Sequence, residues 1–187
     1  MTDSEPLPAG TPSALEAAAQ PPPPRHFKMT LETGVYAHAG SPIGLLLTLA
    51  SQNLLAHART LAVRTEGEYH QMAVVFAHAA CELHTEWAIN QLLAARPDKT
   101  LAALVLPAER DVMSLETPRI RRVYSALTGD NPTESDWWQE WLESRQDRHD
   151  VAHRGAQMTR AKADKAIDLA DRYIKHVTGK VEAAPRP

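Results

Sequence analysis

The sequence is short of cysteine: Cys81 is the only one in 187 residues. That excludes an intrachain disulfide framework and suits a reducing compartment. Glycine is scarce at 8 residues, and aromatics make up 5%. With no sustained apolar/polar alternation either, a sheet has little to be built from, and the core must come mainly from Ala, Leu, Ile and Val. A large charge excess is also missing. Twenty basic residues face 23 acidic ones, a net charge of −3, so any contact with nucleic acid has to come from a local patch. There is no long hydrophobic run. The most apolar stretch, Ile43 to Leu55, is interrupted by Ser51, Gln52 and Asn53 and is shorter than the roughly 20 residues of a membrane span. The early residues place Asp3, Glu5 and several prolines where a signal peptide would carry basic and then apolar residues. A cytoplasmic location without membrane contact is expected.

What is present is helical periodicity. Residues 1–40 read as a flexible Pro/Ala-rich leader that includes Pro21 to Pro24. From Ser41–Pro42, a cap and first-turn pair, the apolar positions Ile43, Leu46, Leu47, Ala50, Leu54, Ala58 and Leu61 recur at helical steps. A second helix is expected from Thr65, with Glu68 completing a capping box, and running to Pro97. A short apolar turn over 101–106 follows. Thr117–Pro118 opens a helix closed near Gly129; Thr133 to Ser135 opens another that runs to Gly155; the last begins near Thr159 and ends at Gly179. The expected fold is all-α, an antiparallel four- to five-helix bundle with an additional N-terminal helix. The bundle spans 41–179, the leader precedes it, and 180–187 form a tail. Cys81 reads as a packing residue within the second helix.

One segment stands apart. Arg145-Gln-Asp-Arg-His-Asp-Val-Ala-His-Arg-Gly155 surrounds two apolar residues with three arginines, two histidines and two aspartates. Cations at a helix C-terminus are favoured by the macrodipole, which is the plain account of this composition. The chemical account is phosphodiester cleavage. A ribose 2′-hydroxyl attacking its own phosphate needs a base, an acid and positive charge but no metal. Histidine is the side-chain type suited to proton transfer near neutrality, and arginine to binding phosphate oxygens. Arg148 and His153 lie five positions apart, about 140° around an ideal helix. Convergence requires either loosening near Gly155 or a second subunit.

The run Arg148-His149-Asp150-Val151-Ala152-His153 resembles the signature of the HEPN family (higher eukaryotes and prokaryotes nucleotide-binding). In that signature an arginine and a polar residue are followed by three further positions and then a histidine. The stretch Gln71 to Glu86 resembles that family's first bundle helix, which carries an acidic residue facing the site. The resemblance covers about residues 65–178. It implies a helical bundle that dimerises with the two motifs facing each other, and, for many members, metal-independent RNA cleavage in toxin–antitoxin or defence systems. By that resemblance Arg148 binds the phosphate and His153 is the general acid/base. His149 and Asp150 support them, Glu82 or Glu86 supplies the acidic partner, and Arg145 and Arg154 contact RNA. No cofactor or metal is implied. The partners implied are RNA, a second copy of the chain and an antitoxin or other protein.

Two other readings compete. A non-catalytic module binding RNA, a nucleotide or a protein would need the same helical surface. His149 and His153, four apart with Asp150 between, also approximate the His-Glu-x-x-His arrangement of zinc hydrolases, although no third ligand follows and Gly155 ends the helix early. Among other candidate contacts, Trp138 and Trp141 read as core or interface, and Trp137 as the exposed one that would stack on RNA bases. Arg119, Arg121 and Arg122 form a basic cluster whose simplest explanation is a solvated face.

Overall fold

The computed structural model describes residues 42–96 and 113–184. Among them are five α-helices and no strand: α1 Pro42–Ala62, α2 Gly67–Ala94, α3 Pro118–Thr128, α4 Trp138–Arg154 and α5 Arg160–Ala183, with a 3₁₀ turn over Pro132–Glu134 before α4. The expected all-α helical bundle is what forms. The leader and the apolar turn at 101–106 lie outside the described residues. Among those described, no helix is long and apolar enough to cross a membrane.

The 28-residue α2 is the central element, packed against α1, α4 and α5. Ala73, Ala77, Ala80 and Ala88 of α2 are fully buried, as are Ala163, Ala166 and Ala170 of α5. Small side chains at these steps let helix axes approach closely, and larger residues fill the flanks. Cys81 sits in this α2–α5 contact at 1% exposure, and burial pushes its thiol pKa well above the ordinary range. Beside it Thr85 Oγ1 lies 2.6 Å from Tyr173 OH, satisfying two hydroxyls inside the core.

Several ends follow local chemistry. Pro118 occupies the first turn of α3, and Gly129 closes that helix at φ 72°, a conformation that favours glycine. Gly155 does the same for α4 at φ 62°, donating its N–H to Val151 O at 3.1 Å while Ala156 N–H donates to Asp150 O at 3.2 Å. Thr159 caps α5 by accepting from Lys162 N.

Four expectations need correction. The α1 stripe forms only in part: Leu47 and Ala58 are buried and Leu54 and Leu61 pack against the core, but Leu46 is 68% exposed, and Ser51, Leu55 and Ala62 complete the inward row where α1 meets α2. The Thr65 capping box does not form; α2 starts at Gly67 after Glu66, with no side-chain cap. Residues 63–66 form a turn instead, tied by Arg64 N–H to Leu61 O at 3.0 Å and by His70 Nε2, 2.8 Å from Arg64 O, so the helix starts two residues later. Gly179 does not stop α5, which continues to Ala183 and so takes up part of the expected tail. Val181 packs on the core there and Lys180 Nζ reaches Asp130 Oδ1 at 3.0 Å. Finally, Trp137 is 3% exposed, its ring 5.5 Å from Tyr173 and 5.4 Å from His176.

Candidate functional site

The polar end of α4 faces α2 along one edge and solvent along the other. On the α2 side two pairs of residues, each four apart, meet: His78 and Glu82 from α2, Ser144 and Arg148 from α4. His78 Nε2 is 3.0 Å from Ser144 Oγ, and the imidazole stacks on Trp141 with ring centroids 4.3 Å apart. One turn further along each helix, Arg148 Nη2 donates to Glu82 Oε1 at 3.4 Å. Both members of that pair are half-buried. Burial raises the Glu82 carboxyl above its usual range, and the Arg148 guanidinium pulls it back only in part.

Of the two glutamates expected as acidic support, the structure therefore brings Glu82 to Arg148. Glu86, one turn further along α2, is half-buried with its carboxyl pKa raised by burial, and no cation among the described residues pairs with it. Arg145 instead meets Glu116, 2.6 Å from Nε to Oε2, from the segment that leads into α3. Glu116 is also raised, first by burial, with Arg145 opposing. Each α4 guanidinium on this side thus has a carboxylate from another element aimed at it. That fixes arginine geometry at the cost of competing with an incoming phosphate.

On the solvent side are His149 and His153, both exposed, with ring centroids 4.4 Å apart and planes inclined at 45°. Asp150 Oδ1 accepts from Gln146 Nε2 and Arg154 Nη1, each at 3.0 Å. Arg154 is thereby folded back along its own helix. This ion pair is largely exposed, and such a pair contributes only about 0–1 kcal/mol, so a stronger anion displaces it readily. Helix α4 remains regular through Arg154. Loosening near Gly155, one of the two ways in which Arg148 and His153 could converge, does not occur. Within one chain the two side chains stay on different sides of the helix.

His78 and Glu116 were missed from the sequence. His78 is 2% exposed, and its pKa is pushed down to about 3, chiefly by burial and then by the nearby Arg148 charge. It is a neutral spacer beneath the arginines. Its spacing from Glu82 matched that of Ser144 from Arg148, and this was the available signal. Glu116 had none, because it lies outside any helix.

The remaining sequence candidates resolve simply. Trp137, Trp138 and Trp141 are all buried, so none offers a ring to a base. Trp137 is the correction: it precedes the first turn of α4, where the chain turns its ring inward. Arg121 lies over the Trp138 ring at 5.5 Å and donates to Leu115 O at 3.2 Å, which takes it out of the expected basic cluster. Among the described residues no group of three or more His, Cys, Asp or Glu is arranged to hold a metal.

No known protein family, curated protein or solved structure matches the chain. Any function therefore has to be argued from the residues themselves.

Proposed function

We propose that the protein is a metal-independent endoribonuclease of the HEPN type, whose working site is formed when the α4 ends of two copies meet. The observation that carries the reading is the division of labour on α4. Arg148 is held in place from α2 by Glu82, and two exposed imidazoles stand on the adjoining solvent face. Because α4 stays helical through Arg154, one chain presents phosphate-binding and proton-transfer groups on different sides, and a symmetry mate is what brings them to one phosphate.

In this scheme an imidazole, His153 first, takes the 2′-hydroxyl proton. The 2′-oxygen attacks the adjacent phosphorus, and the bond to the 5′-oxygen breaks. A second imidazole, from the other copy, protonates that oxygen. The products are a 2′,3′-cyclic phosphate and a 5′-hydroxyl. Arg148 neutralises the non-bridging oxygens as charge builds, the role in which preorganised donors contribute most. His149 orients His153 through ring contact, and Arg145 and Arg154 guide flanking phosphates once released from Glu116 and Asp150. A toxin or defence role with a neutralising protein partner belongs to the same reading.

Cleavage of single-stranded RNA in EDTA, compared between wild type, Arg148→Ala and His153→Ala, tests it. Loss of a proton-transfer group is expected to cost about 10²–10⁴-fold in rate. Equal cleavage by all three proteins, or cleavage by a strictly monomeric species, would overturn the proposal. RNA binding without cleavage would favour the non-catalytic module instead.

A further inference from the structure

His149 and His153 are the two described histidines whose rings face each other, one helical turn apart on α4 and both exposed. Four others are committed elsewhere, His176 among them with its Nε2 2.7 Å from Asp130 Oδ2. His70 Nε2 is 2.8 Å from Arg64 O, His78 is bonded to Ser144, and His84 Nε2 is 2.9 Å from Thr178 Oγ1. Two neutral imidazoles in this arrangement form a chelate for a borderline divalent ion such as Zn²⁺, Ni²⁺ or Cu²⁺, because both lone pairs can be aimed at one point above the helix.

The geometry is close to what such an ion needs. With Zn–N near 2.0–2.1 Å and a tetrahedral angle, the two ring centroids would stand about 5 Å apart. They are 4.4 Å apart now, so the rings open by less than about 1 Å, a small side-chain rotation at an exposed position. Charge does not oppose the ion. The guanidiniums at this end of α4 are each compensated, Arg145 by Glu116, Arg148 by Glu82 and Arg154 by Asp150.

We propose that His149 and His153 form an exchangeable binding site for a divalent transition-metal ion. With no third protein donor among the described residues, water fills the remaining positions. Structural zinc sites instead close four protein ligands around the metal, so this ion comes and goes with its free concentration. The consequence for activity rests on the nuclease reading: an ion that takes the imidazole lone pairs removes the proton-transfer groups, so Zn²⁺ inhibits RNA cleavage and EDTA restores it. The binding itself does not rest on that reading.

The test is calorimetric titration of the full chain with ZnCl₂, in the absence of RNA, for wild type, His149→Gln and His153→Gln, with MgCl₂ as the hard-cation control. Both side chains are exposed, and far-UV circular dichroism verifies that the variants keep their helices. The expected result is one Zn²⁺ per wild-type chain, no Mg²⁺, and a loss of at least about tenfold in affinity in each variant, since losing even a partner behind a ligand costs about 10–100-fold. No Zn²⁺ binding by wild type, or the same isotherm in all three proteins, overturns the site and leaves the nuclease reading untouched. Zn²⁺ binding by a protein that never cleaves RNA overturns the nuclease reading and leaves the site.

Discussion

Replacing His78 with glutamine should flatten the acid sensitivity of folding by an amount that follows from its burial. In the folded protein this imidazole has a pKa of about 3 against an ordinary 6.5. The unfolded chain therefore takes up a proton as pH falls through about 6.5, whereas the folded chain resists until about 3. The contribution to stability is complete above the higher value and is lost progressively below it. Between about pH 7.5 and about pH 4.5 the linkage relation gives a loss of about 3 kcal/mol from this one group. The partly buried carboxyls Glu82, Glu86 and Glu116 act in the opposite sense, since their raised pKa values let the folded state take up protons first. Their effect, like that of His84, is present in both proteins and cancels in the comparison. Glutamine keeps a polar partner for Ser144 but does not titrate. It should lower stability at neutral pH by losing the stack on Trp141, and then lose about 3 kcal/mol less than wild type on acidification. Urea unfolding followed by circular dichroism at a series of pH values measures both slopes. Parallel slopes would refute the placement of His78 as a buried neutral spacer beneath Arg148.

Three further outcomes are expected. Gly179→Ala in the interior of α5, where an added Cβ meets nothing within 4 Å, should stabilise the fold by about 0.5–1 kcal/mol in the same unfolding assay. Trp141→Ala removes the largest fully buried side chain and should cost about 3–5 kcal/mol, read as a lower denaturation midpoint. Glu82→Gln leaves Arg148 without its ion-pair partner; in the nuclease scheme cleavage should fall while RNA binding is kept or strengthened, and equal loss of both would show that Glu82 is structural only.

The sequence was most legible where local chemistry decides the outcome. Pro118 in the first turn of α3, the left-handed glycines Gly129 and Gly155, and the Thr159 cap of α5 act through their own backbone and nearest neighbours, so their meaning survives folding. It was least legible where tertiary contacts override local preference. Thr65 is a reasonable cap residue, yet α2 begins at Gly67, because the preceding turn is held by His70 of α2 itself, its Nε2 2.8 Å from Arg64 O. Gly179 looks like a stop signal, yet Val177 and Val181 packing and the Lys180–Asp130 ion pair carry the helix past it. Trp137 looked exposed because its position precedes the apolar repeat, and only α5 reveals the aromatic pocket it fills.

The candidate site divides in the same way. Arg148, His149 and His153 could be picked out because so polar a run is unusual at the end of a helix, and pairing Arg148 with Glu82 or Glu86 followed from the cost of burying an unpaired carboxylate. Choosing between the two glutamates needed the relative placement of α2 and α4. So did recognising Glu116, whose importance comes from the 2.6 Å contact with Arg145 across the fold.

The most direct measurement of the central claim is end-group analysis of a labelled single-stranded RNA incubated with the purified protein in EDTA. The account predicts new ends carrying a 2′,3′-cyclic phosphate and a 5′-hydroxyl, formed by wild type and absent with His153→Ala or Arg148→Ala. Intact RNA, ends with a 3′-hydroxyl and 5′-phosphate, or unchanged cleavage by either variant would contradict it.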